Sequence, residues 1–147
     1  GWAAEEVGGS QYMTYDEKKA WLGRYREARQ TEQQLAAQYA EACEAAQHTT
    51  QVLNPVSGGS GDGQSLARAV ERKEELERKV AVQHDLAIQI YGEILNALYG
   101  LSDDLNYVIL HERYLECLTW EQIAHKTHLA LRWVYTRHKR AVEQLDL

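Results

Sequence analysis

Residues 118–145 read Leu118-Thr119-Trp120-Glu121-Gln122-Ile123-Ala124-His125-Lys126-Thr127-His128-Leu129-Ala130-Leu131-Arg132-Trp133-Val134-Tyr135-Thr136-Arg137-His138-Lys139-Arg140-Ala141-Val142-Glu143-Gln144-Leu145. Thr119 and Gln122 have capping-box spacing: the hydroxyl accepts from an early helix amide while the Gln side chain reaches back, so a helix starts here. Trp120, Ile123 and Ala124 fall on one face of it. After a turn at 127–130, a second helix runs from Leu131 to near Leu145 and turns Val134, His138, Ala141, Val142 and Leu145 inward. Ala124 is small where two helices joined by a tight turn must approach, and Ile123 and Val134 fill the space around that contact. The first helix therefore props the second, whose opposite face is left to solvent. Upstream, 103–116 supplies another short helix that buries Leu105, Val108 and Ile109, with Tyr114 towards its end and Ser102 as its cap.

Outward from this block, Gly100 is suited to end a long helix and is read as the domain boundary. From about Gln64 to Leu98, the residues Leu66, Ala69, Lys73, Leu76, Val80, Gln83, Ala87, Ile90 and Ile94 recur three or four apart. Earlier, Thr14 and Glu17 form a second capping box. The helix it opens is expected to run to about His48, with a seam of Trp21, Tyr25, Ala28, Glu32, Leu35, Tyr39, Ala42 and Ala46, Glu32 being its one acidic member. Between the two lies a Gly-rich run over 52–63 that holds the single proline of the chain, Pro55. It lacks the Gly-Lys-Ser/Thr ending of a phosphate-binding loop and is read as a linker. Neither long helix can hide its stripe alone, so the two are expected to form an antiparallel hairpin or to pair with a second copy. Residues 1–13 carry no pattern and are read as an extension or a cloning remnant ahead of a natural start at Met13. The fold class expected is all-α: a hairpin of long, coiled-coil-like helices over 14–99, then a three-helix domain over 101–147.

Composition narrows the function classes. The 147 residues are 44% hydrophobic, enough to bury a core, with no Phe and much Ala. No stretch nears the roughly 18 apolar residues of a membrane span, and no secretory signal pattern is present, which points to the cytoplasm. Cys43 and Cys117 are too far apart in sequence for a zinc-ligand motif and read as small buried side chains. His125 and His128, three apart, straddle the turn and have no third ligand beside them, so no metal is expected. No nucleophile–base constellation is legible, and neither an enzyme nor a cofactor is expected.

A net charge of −6 speaks against nucleic acid at first sight. The charge is uneven, however: 1–100 hold 10 Lys/Arg against 15 Asp/Glu, and 101–147 hold 6 against 7. Within the tail, Arg132, Arg137, Lys139 and Arg140 follow one another with no acid between them, and local sign governs approach to phosphate. Arg132 and Thr136, near the start of the last helix, are placed for base edges; Arg137, Lys139 and Arg140 are placed for phosphates. Trp133 reads equally as a DNA contact or as a packing residue, and Tyr135 as packing against the hairpin or a second copy.

Leu101-Ser102-Asp103-Asp104, the run from Tyr114 through Glu121-Gln122-Ile123-Ala124, Val134, and Arg140-Ala141-Val142-Glu143-Gln144-Leu145 resemble the fourth region of sigma factors. With Met13-Thr14-Tyr15-Asp16-Glu17-Lys18-Lys19-Ala20-Trp21-Leu22, the Gly-rich loop and Ala69-Val70-Glu71-Arg72, the chain is similar to the sigma-like proteins of Gram-positive prophages, akin to ArpU-type regulators. The resemblance implies a phage-type transcription regulator that binds double-stranded DNA through a helix-turn-helix, with RNA polymerase and a second copy as further partners. Two positions depart from the family: His128 stands where the turn usually has Gly, and Ala130 where a serine often caps the recognition helix. The alternative reading is an acidic helical protein that binds RNA polymerase or inhibits another nucleic-acid enzyme, with Glu71, Glu74, Glu75 and Glu77 mimicking phosphates. A helical DNA-packaging subunit comes third.

Overall fold

The computed structural model describes residues 12–52 and 60–147, and every regular element among them is helical. They are α1 (Tyr15–Leu22), α2 (Arg24–Val52), α3 (Ser60–Leu98), α4 (Asp104–Leu110) with a π-helical continuation over His111–Leu115, α5 (Trp120–Thr127) and α6 (Leu131–Gln144). Residues 1–11, within the segment read as an extension, and 53–59, within the run read as a linker, lie outside the described residues. By contacts the described residues fall into two units, one made of 12–27 with 88–147 and the other of 28–52 with 60–87.

The first long helix is not continuous. Thr14 caps α1 with both halves of the expected box in place, Thr14 Oγ1 accepting from the Glu17 N–H at 3.2 Å and Glu17 Oε1 from the Thr14 N–H at 3.3 Å. At Gly23 the chain turns before α2 begins. Arg24 Nε donates to the Trp21 carbonyl at 3.1 Å, so a side chain enters the ladder at the break. Insertion of this kind is a standard cause of a kink, and glycine at the bend makes it cheaper. Beyond it α2 runs to Val52, four residues past the end expected from the sequence, and α3 begins at Ser60, so both ends of the run read as a linker over 52–63 are helical.

In the unit 28–52 with 60–87, the heptad stripes are the covered faces. Ala28, Glu32, Ala42 and Ala46 of α2 and Leu76 and Ala87 of α3 are buried, while the residues between them are mostly exposed. Glu32 sits in this seam at 8% exposure. It is not an uncompensated charge, because Arg29 Nη1 donates to Oε2 and His84 Nδ1 meets Oε1 at 2.5 Å. Burial pulls its pKa upward, but the hydrogen bonds from His84 and Arg29 prevail and hold it below the ordinary carboxylate value. Gln83 Nε2 donates to the Ala28 carbonyl at 3.1 Å, tying a polar seam position to the facing backbone.

The other unit has its core at Ile109, Ile123 and Val134, with Leu105, Leu118, Trp120, Ala124 and Leu129 packed round them. Leu22 from α1 and Ile94 and Leu98 from α3 are fully buried as well. Helix α1 lies against α6. Lys18 Nζ donates to the carbonyls of Glu143 at 3.1 Å and Leu145 at 2.6 Å, so a cation from the chain's beginning satisfies orphan carbonyls where its last helix ends. The cap of α4 is Asp103 rather than Ser102: its side chain accepts from the Asn106 N–H at 3.0 Å. One residue further on, the carboxylate also meets the positive end of the helix.

Candidate nucleic-acid interface

Helix α5 is set by its cap, and the turn from it to α6 by one strained residue. Thr119 and Gln122 complete the expected box, with bonds of 3.1 and 2.8 Å. Helix α5 ends at His128, whose backbone is left-handed at φ 57, ψ 33. Its N–H closes the helix on the carbonyls of Ala124 and His125, as glycine does at many helix ends. The sequence left open whether this backbone avoids the left-handed region; it adopts it, at a cost of about 1–2 kcal/mol for a residue with a Cβ. Cys117, just past the π-helical turn, is also left-handed at φ 58, a position the sequence did not flag. Ala130 occupies the N-cap of α6 and makes no side-chain bond there, so that helix starts uncapped.

Helix α6 is two-faced. Val134, His138, Ala141 and Val142 are buried, as is Leu145 just past its end. On the other side Arg132, Trp133, Thr136, Lys139 and Arg140 are exposed. Arg132 lies over the Trp133 ring at 5.3 Å and Trp133 is 50% exposed, so this indole shields a guanidinium instead of filling the core. Thr136 Oγ1 donates back to the Arg132 carbonyl at 3.0 Å. Arg137 differs from its neighbours: it is half-buried at the edge of the face, with Nη1 3.5 Å from Asp103. The Asn106 N–H first, and Arg137 with Arg140 after it, hold the Asp103 carboxyl below its usual range against the opposing effect of burial. Glu143 is exposed at the far end of the same helix and limits the cationic stretch there.

An aromatic and polar cluster holds the buried face. Trp120 meets His138 edge-on at 4.7 Å and Tyr135 at 5.2 Å. Tyr114 Oη and His138 Nε2 are 2.6 Å apart in a buried pair. Burial pushes the Tyr114 phenol up and the His138 imidazole down, the latter to about 4, with Lys19 and Arg113 adding to it. His138 is therefore neutral at pH 7, and the phenol O–H donates to it. Tyr135 meets Trp120 of α5, not the hairpin that the sequence reading offered it, and stays 44% exposed.

His125 and His128 are both exposed, and among the described residues no three His, Cys, Asp or Glu side chains are grouped as metal ligands. No helix is long and apolar enough to cross a membrane, among the described residues. No family model, curated protein or solved structure matches the chain.

Proposed function

We propose that this chain is a sequence-specific, double-stranded-DNA-binding transcription regulator of phage type, with α5, the turn at His128 and α6 acting as a sigma region 4-like helix-turn-helix in the cytoplasm of a bacterial host. The observation that carries the reading is the division of α6: Val134, His138, Ala141 and Val142 are locked into the core while Arg132, Thr136 and Arg140 project from the opposite side. An α-helix of this kind fits the width of the major groove, and side chains near its start are those that reach base edges. Arg132 and Thr136 then read bases, Arg140 and Lys139 hold phosphates, and Trp133 rests against the sugar–phosphate backbone while orienting Arg132. Arg137 already has Asp103 as a partner, so its contribution is the smallest of the set. In this reading α2 and α3 form an antiparallel hairpin, a geometry supported by Arg24 meeting Glu93, Tyr25 meeting Tyr91 and Glu32 meeting His84. The hairpin pairs two copies or docks on RNA polymerase, and a dimer favours a target of two half-sites.

The test starts from duplexes selected from a random pool and follows binding against salt. Arg132→Ala and Arg140→Ala are each expected to weaken binding, and loss of a phosphate contact lowers the slope of log K against log salt by about 1. Arg137→Ala is expected to do less. Undiminished binding by the Arg132→Ala and Arg140→Ala proteins refutes the assignment.

A second reading has its own observation. Glu71, Glu74, Glu75 and Glu77 are all exposed along α3, and only Glu75 among them has a cationic partner, Lys79 at 3.1 Å, among the described residues. An acidic face of this kind suits a basic protein partner. Stoichiometric capture of RNA polymerase or another nucleic-acid enzyme, with no duplex shift, favours this reading over the first.

A further inference from the structure

Beside α6, sharing Lys139 with its outward face, the unit made of 12–27 and 88–147 encloses a half-open concavity of about 580 Å³. Four cationic side chains line it: Lys19 and Arg26 from the beginning of the chain, Arg113 from the π-helical turn and Lys139 from α6. No carboxylate is among the lining residues, although the chain as a whole carries a net charge of −6. Among the described residues, Arg26, Arg113 and Lys139 form no ion pair, and Lys19 has only Asp16 at 4.0 Å, a carboxylate 90% exposed to water.

Three of the four cations rest on aromatic rings instead. The Arg113 guanidinium lies 4.1 Å from the Trp120 ring centre, and its Nη1 donates to the Leu118 carbonyl at 3.0 Å. The Lys19 and Lys139 ammonium groups converge on a single ring, Tyr15, at 4.8 and 5.8 Å. Cation–π contacts orient a charge without neutralising it. The resulting field registers on two groups: after burial, Lys19 and Arg113 are what depress the His138 pKa, and after burial the Arg26 charge is what lowers that of Arg113. Like charges gathered in a partly desolvated recess raise the free energy of the empty site, and a polyanion relieves it.

We propose that this concavity is a binding site for a small polyphosphate, the anionic chain of a nucleotide or of an inorganic polyphosphate. Four gathered charges call for more than one negative charge in the occupant, and the volume lies within the range of about 300–1,000 Å³ usual for small-molecule sites. The site shares only Lys139 with the DNA reading, because its other cations come from α1, α2 and the π-helical turn.

Titration calorimetry of the full chain with tripolyphosphate and with ATP tests it. Saturable one-to-one uptake of tripolyphosphate is expected, and ATP binding alongside it extends the ligand to nucleotides. Lys139→Gln and Arg26→Gln, both at exposed positions that leave the core untouched, are each expected to weaken uptake about tenfold, the effect of losing one charge-assisted contact. Arg113→Gln is expected to weaken it further. Arg72→Gln and Arg78→Gln on α3 serve as controls and leave it unchanged. Uptake that is absent, or that falls equally in the α3 controls, overturns the proposal. Loss of duplex binding in Lys139→Gln and Arg26→Gln without any tripolyphosphate uptake also overturns it, and assigns these cations to the DNA backbone.

Discussion

Acidification should destabilise the unit that carries α6, through His138. The imidazole is 4% exposed, and its pKa falls from 6.5 to about 4 because burial, then Lys19 and Arg113, disfavour the charged form. The unfolded chain therefore binds a proton at higher pH than the folded one. The stability that neutral His138 contributes is complete above the unfolded pKa of 6.5 and is lost as pH falls from there towards 4. Integrating the two titrations gives a loss of about 2 kcal/mol at pH 5 and about 3 kcal/mol at pH 4. For a folding unit of this size, the loss at pH 5 lowers the melting temperature by roughly 10 °C. Urea titrations followed by circular dichroism between pH 7.5 and 5 suit the measurement, because the carboxylates titrate mostly below that window. His138→Gln is the comparison: its carbonyl still accepts from Tyr114, and it does not titrate. Wild type is expected to lose stability across the window while His138→Gln stays nearly level, even though the variant is less stable at pH 7. Equal slopes in the two proteins refute the argument that His138 is held neutral by its surroundings.

Three further substitutions probe the local chemistry. His128→Gly removes the Cβ penalty of the left-handed turn and, after the added freedom of the unfolded chain, should stabilise by about 0.5–1 kcal/mol, read as a higher melting temperature. Ala130→Ser supplies the missing cap of α6, and chemical denaturation should show a gain of about 0.5–2 kcal/mol. Glu32→Leu continues the apolar seam and removes a buried charge; a gain of about 1 kcal/mol or more in urea is expected, and a loss instead shows that the pairing with Arg29 and His84 outweighs its desolvation.

Local pattern was enough for much of this protein. Both capping boxes, Thr14 with Glu17 and Thr119 with Gln122, lie where four consecutive residues put them, because each needs only side chains three apart. The buried stripe of α6, from Val134 to Leu145, follows from helical period alone, and its exposed residues follow as the remainder. The seams of α2 and α3 were readable for the same reason, including Glu32 as their acidic member. Ser102 was misjudged as a cap because Ser102 and Asp103 are adjacent and both are good caps; the register of α4 against its neighbours selects Asp103.

What no local pattern contains is a pairing between distant residues. Lys18 reaches the carbonyls of Glu143 and Leu145, Asp103 meets Arg137, and His84 meets Glu32. Each pair depends on where helices pack, and packing depends on the whole core. The cationic recess is the clearest case: Lys19, Arg26 and Arg113 are unremarked singly in an acidic sequence, and nothing local brings them to Lys139. Sequence alone determined which residues turn inward along each helix, since that follows from a period of 3.6. Tertiary structure alone decided which charges gather and which are neutralised, because electrostatic energy depends on distances in space that chain separation does not encode.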